Sequence, residues 1–364
     1  MGIEDGKAMT RAVHLAGKGR GTTHPNPMVG AVLVKDGRII GEGWHSSPGK
    51  PHAEILAIED AGHKAADSTM YVNLEPCCHF GRTPPCTDAI TGAGVKRVVV
   101  ACLDTNSKVS GKGIEALRNK GVEVVTGVGE ARALELNRAY FYFAATGRPY
   151  VTLKLASSLD GRIATSSGHS RWITGEVSRR AVHNLRAQVD GILVGAGTVL
   201  ADDPLLTARD VGAKVQPVRI VLDPALKTPL KAKLVREAED RKTLLVVGKS
   251  VADAATEPFR EYGVNFIKLP LRDGFFSWQD IYVALLKNDV IHLLVEGGSR
   301  TAAWFVAEGA VRRLEIFFAP ILLGGDAVPS IGDLMLDNLK DAPGFNPVRW
   351  SKSGEDLRLV ADKI

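Results

Sequence analysis

The sequence predicts an α/β protein built from two consecutive domains, and three observations carry that expectation. At 364 residues the chain is longer than one typical domain. Apolar residues alternate along it between helical spacing and short β-rich runs, the signature of α/β folds. That alternation halts at "TGRP", residues 146–149, and then restarts, so the boundary is expected near 147, with domains 1–146 and 147–364. With 45% hydrophobic and 24% charged residues, the composition supports substantial buried cores.

The elements follow in order. Ala8, Met9, Ala12, Val13 and Ala16 recur at helical spacing, and Gly17 and Gly19 end that helix. "MVGAVLV" and "IIGEGW" flank "KDGR", so an Asp-Gly turn joins two strands in a hairpin. "HAEILAIEDAG" is helical and stops at Gly62, and "TMYVNLE" is a strand running into a cysteine-rich loop. A helix over 84–93, the strand "RVVVAC", the helix "KGIEALRNKG", the strand "VEVVTG" and one helix "EARALELNRAYFYFAA" complete the first half. In the second half "YVTLKLA" reads as a strand, "GEVSRRAVHNLRAQV" as a helix, and "DGILVGAG" as a strand entering a glycine turn. "PVRIVLD" and "KTLLVVG" are further strands, "IHLLVEGG" leads into the helix "SRTAAWFVAEG", and "RRLEIFFAP" follows. No internal repeat or low-complexity tract interrupts the pattern.

Charge and composition exclude several classes. The 46 basic and 41 acidic residues leave +5 with no Lys/Arg-rich run, which argues against nucleic acid as a partner and leaves an anionic small molecule open. "MGIEDGKAMTRAV" carries acids and no continuous apolar stretch, so no secretory signal is read, and no apolar run approaches a membrane span. Four cysteines, two of them adjacent, make a poor disulfide framework, so a reducing cytoplasm is the expected compartment. A homo-oligomer is compatible with the sequence.

Three of the four cysteines lie in "EPCCHFGRTPPC", residues 75–86, with "HAE" upstream at 52–54. A catalytic zinc takes three protein ligands and keeps a position for water. His52 offers a neutral nitrogen, Cys77 and Cys86 offer thiolates, and Glu54, at the start of a helix, can handle the proton of a bound water without ligating. A purely structural zinc would want a fourth protein ligand, for which His79 is the candidate. The zinc nucleobase deaminases use H-x-E followed by P-C-x-x-C. Here "HAE" and "PC" match that pattern, but the second cysteine lies beyond its spacing.

"PCCHFGRTPPC" after "HAE", with "THPNPMVGAVLV" upstream, resembles the bifunctional deaminase/reductase family of riboflavin biosynthesis. "LKLASSLDGRIA", "SRWIT", "VGAGTVLADDPLLTAR" and "LLVEGGSR" extend the resemblance over nearly the whole chain. It implies an N-terminal cytidine-deaminase-like α/β/α domain and a C-terminal dihydrofolate-reductase-like α/β domain using NADPH. The family's long cysteine spacing assigns the ligands to Cys77 and Cys86, and its usual serine at 78 makes Cys78 a spectator. It assigns Asn26, His45, His79 and Arg82 to substrate. The amide of Asn26 suits a base edge, and the other three suit a ribose phosphate.

In the second half, "ILVGAGT" and "VEGGSR" read as strand ends where backbone N–H groups can approach a phosphate, although the full dinucleotide fingerprint is lacking. By the resemblance, Ala156, Ser170, Trp172, Thr198 and Asp202 line the cofactor site, and Gly298 and Ser299 take its phosphates. Arg186, Leu206, Arg209 and Glu296 face substrate, the two arginines making sense as phosphate clamps. Lys154 and Asp202 are the candidates for protonation. On spacing alone Trp172 reads as core packing.

The expected function is hydrolytic deamination of 2,5-diamino-6-ribosylamino-4(3H)-pyrimidinone 5′-phosphate, followed by NADPH-dependent reduction of ribosyl to ribityl. A tRNA or nucleoside deaminase would want a basic face and the short cysteine spacing, and neither is here. A zinc-stapled flavin-sensing protein would show no turnover.

Overall fold

A computed structural model describes residues 4–80, 84–105 and 110–364. The chain divides into two compact units, Met1–Arg148 and Pro149–Ile364, so the division falls inside "TGRP".

The first unit runs α1 (Asp5–Ala16), β1 (Gly30–Lys35), β2 (Arg38–Trp44), α2 (Ala53–Ala61), β3 (Thr69–Leu74), α3 (Cys86–Gly92), β4 (Arg97–Cys102), α4 (Lys112–Asn119), β5 (Glu123–Thr126), α5 (Glu130–Leu136) and α6 (Arg138–Thr146). Its sheet has the order β2-β1-β3-β4-β5, with β1 antiparallel to both neighbours and β3, β4 and β5 parallel. Alternation along the strands builds three layers. Ala31, Leu33, Val72 and Val98 pack with Ala57 of α2, Ile90 of α3 and Leu117 of α4. Val32, Tyr71 and Val99 pack with Met9 of α1, Ala133 of α5 and Phe141 of α6. The β1–β2 turn has Asp36 and Gly37 both at positive φ, 49° and 69°, as a tight Asp-Gly hairpin turn requires.

Two local features prepare the site. The apolar run of β2 is broken by Gly41 and Gly43, where a Cβ would lie 2.3 Å from the carbonyl oxygens of Ala57 and Ala53 respectively. Only glycine therefore lets α2 lie directly on the strand, and this approach fixes the start of α2 beside His52. The single helix expected over "EARALELNRAYFYFAA" is instead two, α5 and α6, meeting at Asn137 (φ −105°, ψ 18°). Helical periodicity continues through the junction, where the Asn137 side-chain amide bonds the backbone of Met28.

The second unit runs β6 (Tyr150–Ser158), β7 (Arg162–Ala164), α7 (Glu176–Arg186), β8 (Gly191–Gly195), α8 (Ala196–Asp202), β9 (Val218–Leu222), α9 (Lys233–Arg236), β10 (Thr243–Gly248), α10 (Asp253–Arg260), β11 (Asn265–Leu269) and α11 (Trp278–Leu286). It continues through β12 (His292–Val295), α12 (Ser299–Ala307), β13 (Val311–Ala319), β14 (Val328–Pro329), β15 (Phe345–Ser353) and β16 (Asp356–Lys363). Nine strands form one sheet in the order β11-β10-β9-β8-β12-β6-β13-β16-β15, parallel from β11 to β13 and antiparallel thereafter. Leu285 of α11 and Phe305 of α12 cover one face with Leu153 and Leu293. Val182 of α7, Val199 of α8 and Phe259 of α10 cover the other with Ile192 and Leu294.

The sequence pattern did not reveal β15 and β16. β15 is largely exposed, so no buried face imposes a clear alternation on it, and its register comes from pairing with β16. The glycine turn expected after β8 is also absent: α8 begins at Ala196 directly, so Gly197 sits inside a helix.

Candidate active sites

In the first unit the zinc-type residues converge. His52 is the residue before α2 and makes no side-chain cap bond, which leaves its ring available. Cys77 follows β3, and Cys86 is the first residue of α3. His52 Nδ1 lies 3.2 Å from Cys86 Sγ and 3.6 Å from Cys77 Sγ, and the Cys86 backbone N–H donates to Cys77 Sγ at 3.4 Å. All three donor atoms fall within 4.8 Å of one another. Tetrahedral ligands at ordinary Zn–S and Zn–N lengths stand roughly 3.5 Å apart, so the donor set fits zinc.

Glu54, in the first turn of α2, is 3% exposed, and its Oε2 is buried without a hydrogen-bond partner. Burial pushes its carboxyl above the usual carboxylate range, with the His52 charge opposing. An unpartnered acceptor beside three borderline-soft donors is the arrangement a zinc-bound water would complete. Hydrogen bonds from Cys86 and His52 hold the Cys77 thiol well below the usual thiol range, against its burial. Cys86 is correspondingly pushed up by its bond to Cys77 and by burial.

Among the described residues His79 is not part of this donor cluster, and neither is Cys78. His79 is exposed. Arg82 lies outside the described residues.

His45, expected among the groups suited to a ribose phosphate, has both ring nitrogens engaged by protein groups. It is 3% exposed, with Nδ1 at 3.2 Å from the Pro51 carbonyl and Nε2 at 3.1 Å from Asn26 Nδ2. A carbonyl only accepts, so Nδ1 carries the proton and Nε2 accepts from the Asn26 amide. Burial lowers the pKa of the ring, in the direction that hydrogen-bond pattern requires. His45 therefore orients Asn26.

Glu75, marked in the sequence only as an acid preceding Pro-Cys, holds the start of the cysteine loop. Its buried carboxylate accepts backbone N–H bonds from Gly111 at 2.9 Å, Gly113 at 2.8 Å and Asp104 at 3.2 Å. At Gly113 a Cβ would meet the Pro76 carbonyl at 2.1 Å, so α4 approaches the loop only because that residue is glycine.

In the second unit β8, β12 and β6 are adjacent and parallel, and most of the expected residues gather at their C-terminal ends. A Cβ at Gly195 would lie 2.6 Å, and at Gly297 2.5 Å, from the Thr301 side chain, so these two glycines serve packing against α12. Thr198 Oγ1 accepts from the Gly298 N–H at 3.2 Å and ties α8 to the start of α12, where Ser299 is the first residue. Helix N-termini of this kind favour anions. Ala156 lies on β6 opposite Phe317 of β13.

Arg186 departs from the phosphate-clamp expectation. Its Nε and Nη2 donate to the two Glu296 carboxylate oxygens at 2.6 and 3.0 Å, and Nη1 donates to the Thr207 carbonyl at 3.1 Å. The fork is occupied by protein. Lys154 Nζ stands 3.6 Å from Glu296 Oε2, making a largely buried triad. Burial pushes Glu296 up, but the Arg186 and Lys154 charges outweigh it and hold the carboxyl at about 2. Burial lowers Lys154, against the pull of Glu296, so its proton is held less tightly than an ordinary lysine's.

Asp202 sits elsewhere, with Ser170 Oγ at 3.4 Å and Arg171 Nε at 3.8 Å. The core-packing reading of Trp172 fails: the indole is 70% exposed, with the Arg179 guanidinium 4.8 Å from the ring centre. Leu206 also departs from expectation. Its φ of 51° turns the backbone so that the side chain enters the core, 2% exposed, and only its main chain can face a ligand. Arg209 is exposed, its Nη1 donating to Thr207 Oγ1 at 2.7 Å and its N–H to His183 Nδ1 at 3.1 Å.

Residues 3–102 match the family model for the cytidine and deoxycytidylate deaminase zinc-binding region, and residues 149–359 match that for the RibD C-terminal domain. The chain is 47% identical over 353 residues to riboflavin biosynthesis protein RibD of Aquifex aeolicus, covering 97% of each chain. To RibD of Escherichia coli it is 41% identical over 371 residues, covering 98% of this chain and 99% of that one. Its structure is similar to that of a diaminohydroxyphosphoribosylaminopyrimidine deaminase/5-amino-6-(5-phosphoribosylamino)uracil reductase from Thermotoga maritima. The TM-score is 0.87 at 37% identity, and 99% of each chain is covered. No helix among the described residues is long and apolar enough to cross a membrane.

Proposed function

The chain belongs to the bifunctional RibD family of riboflavin biosynthesis, which joins a deaminase to a reductase, and from that premise we propose how its own residues divide the two reactions. Residues 1–146 carry the deaminase and 147–364 the reductase. The observation that carries the reading is the His52–Cys77–Cys86 donor set beside a buried, unpartnered Glu54 oxygen.

The deaminase takes the diaminohydroxyphosphoribosylaminopyrimidine for which the Thermotoga relative is named. His52, Cys77 and Cys86 hold the zinc, and three protein ligands leave a position for water. Zinc so bound supplies an activated water near neutral pH. Glu54, its carboxyl raised by burial, would accept a proton from that water and pass it to the ring, then accept the proton of the added hydroxyl and pass it to the amino group, which leaves as ammonia. Asn26 reads the base edge, its amide oriented by His45. His79 and Arg82 are proposed to meet the ribose phosphate.

In the reductase, NADPH supplies the hydride. Gly298, Ser299 and Thr198 receive its phosphates at the start of α12, with Ala156, Ser170, Trp172 and Asp202 lining the rest. Lys154 is favoured as the proton source because burial loosens its proton. Glu296 holds Lys154 and is held by Arg186, Leu206 offers its backbone, and Arg209 grips a substrate phosphate. A cytoplasmic location suits the four free cysteines.

The test is ammonia release from the pyrimidine phosphate and, separately, NADPH oxidation with the deaminated product. Cys77→Ser and Cys86→Ser are expected to lose zinc and deamination together, whereas Cys78→Ser keeps both, because Cys78 is no part of the donor cluster. Elemental analysis decides this, and zinc lost from Cys78→Ser would overturn the ligand set. Arg209→Ala is expected to raise the reductase KM more than it lowers kcat, the signature of a remote grip. An unchanged KM removes Arg209 from the site.

A further inference from the structure

Where the chain leaves the loop bearing Asn26 and enters β1, its backbone is held by two buried amide side chains from distant elements. The Met28 N–H donates to Asn137 Oδ1 at 2.8 Å, and the Met28 carbonyl accepts from Asn137 Nδ2 at 2.8 Å and from Asn73 Nδ2 at 3.0 Å. Asn73 Oδ1 accepts in turn from the Gly30 N–H at 2.8 Å. Asn73, on β3, is fully buried, and Asn137 is 2% exposed. The Met28 carbonyl thus has both its lone pairs occupied.

The loop is pinned on its other side as well. The Asn26 N–H donates to the Thr23 carbonyl at 2.8 Å, and the Asn26 side chain donates to His45, which is fixed by Pro51. With Nδ2 directed to His45, Oδ1 of Asn26 is the atom left to accept from an N–H or amino group on a pyrimidine edge. The position of that oxygen depends on the backbone two residues on, which Asn137 clamps.

Asn137 makes this clamp from the junction of α5 and α6, where its own N–H still donates to the Ala133 carbonyl at 3.1 Å and its carbonyl accepts from the Phe141 N–H at 3.0 Å while the side chain turns to Met28.

We propose that Asn137 is a positioning residue for pyrimidine recognition, acting through the Met28 backbone on Asn26. The inference rests on the assignment of Asn26 to the base edge. Asn137 is not one of the zinc donors, so its removal alters substrate placement and leaves the metal in position.

The experiment measures deamination kinetics, zinc content and reductase rate in full-length Asn137→Ala, Asn26→Ala and the double variant. Loss of one buried, reciprocally bonded amide is expected to raise the deaminase KM about tenfold. Zinc content and the reductase rate stay unchanged. In the Asn26→Ala background, Asn137→Ala is expected to add little, since both act through one contact. A KM unchanged in Asn137→Ala, with only a lower Tm, overturns the inference and leaves a structural role. A KM rise that persists at full size in the Asn26→Ala background overturns it too, because the effect then bypasses Asn26. If Asn26→Ala alone leaves KM unchanged, the base-edge assignment fails and this inference fails with it. Should Asn137→Ala lose its fold, Asn137→Ser, which keeps an acceptor for the Met28 N–H, carries the same comparison.

Discussion

Glu54→Gln is expected to keep its zinc and to lose about 10²–10⁴-fold in ammonia release, the usual worth of a positioned acid–base group. The two side chains are nearly the same size, so the buried space at the start of α2 is filled as before. The amide cannot accept a proton from water and pass it on, which is the role proposed for the buried carboxylate. At about 1.4 kcal/mol per tenfold, the predicted loss corresponds to roughly 3–5 kcal/mol of transition-state stabilisation. Zinc content and single-turnover ammonia release on the same preparation check it. Circular dichroism and the zinc content control for folding of the first unit, and NADPH oxidation for the amount of intact second unit. A variant with no zinc would make Glu54 a ligand and overturn the division between His52, Cys77 and Cys86 as holders and Glu54 as proton carrier.

Chelation of the zinc is expected to abolish ammonia release altogether while NADPH oxidation with the deaminated substrate continues. All three donor atoms of the cluster belong to Met1–Arg148, and each unit has buried clusters of its own. Metal bound only to the folded state stabilises the unit that holds it, so its removal lowers the Tm of the first unit chiefly. Hydride chemistry belongs to the cofactor and calls for no metal. Circular dichroism alongside both assays checks the outcome. If both activities stop together in protein that remains folded, the division of labour between the units is wrong.

The zinc centre was legible in the sequence to an unusual degree. "HAE" at a helix start and two separated cysteines around "TPPC" are local features, and each is placed by the element it begins or follows. The layered α/β architecture was legible for the same reason: strands such as Val98–Val100 and helices such as Ala8–Ala16 announce their buried faces by spacing. The edge strand β15 was not, because an exposed strand has no buried face to write into its sequence.

What tertiary structure alone decided is which polar groups are already engaged by other protein groups. Arg186 has the residue type of a phosphate clamp, yet its guanidinium is committed to Glu296. His45 has the type of a phosphate partner, yet its ring nitrogens are engaged by the Pro51 carbonyl and the Asn26 amide. Leu206 has a side chain suited to a pocket wall, yet a left-handed backbone sends it into the core. Residue type and local spacing fix what a side chain can offer, and those the sequence determines by itself. Whether the offer is still open depends on partners up to 110 positions away, as for Arg186 and Glu296, and only the folded chain brings them within hydrogen-bond reach.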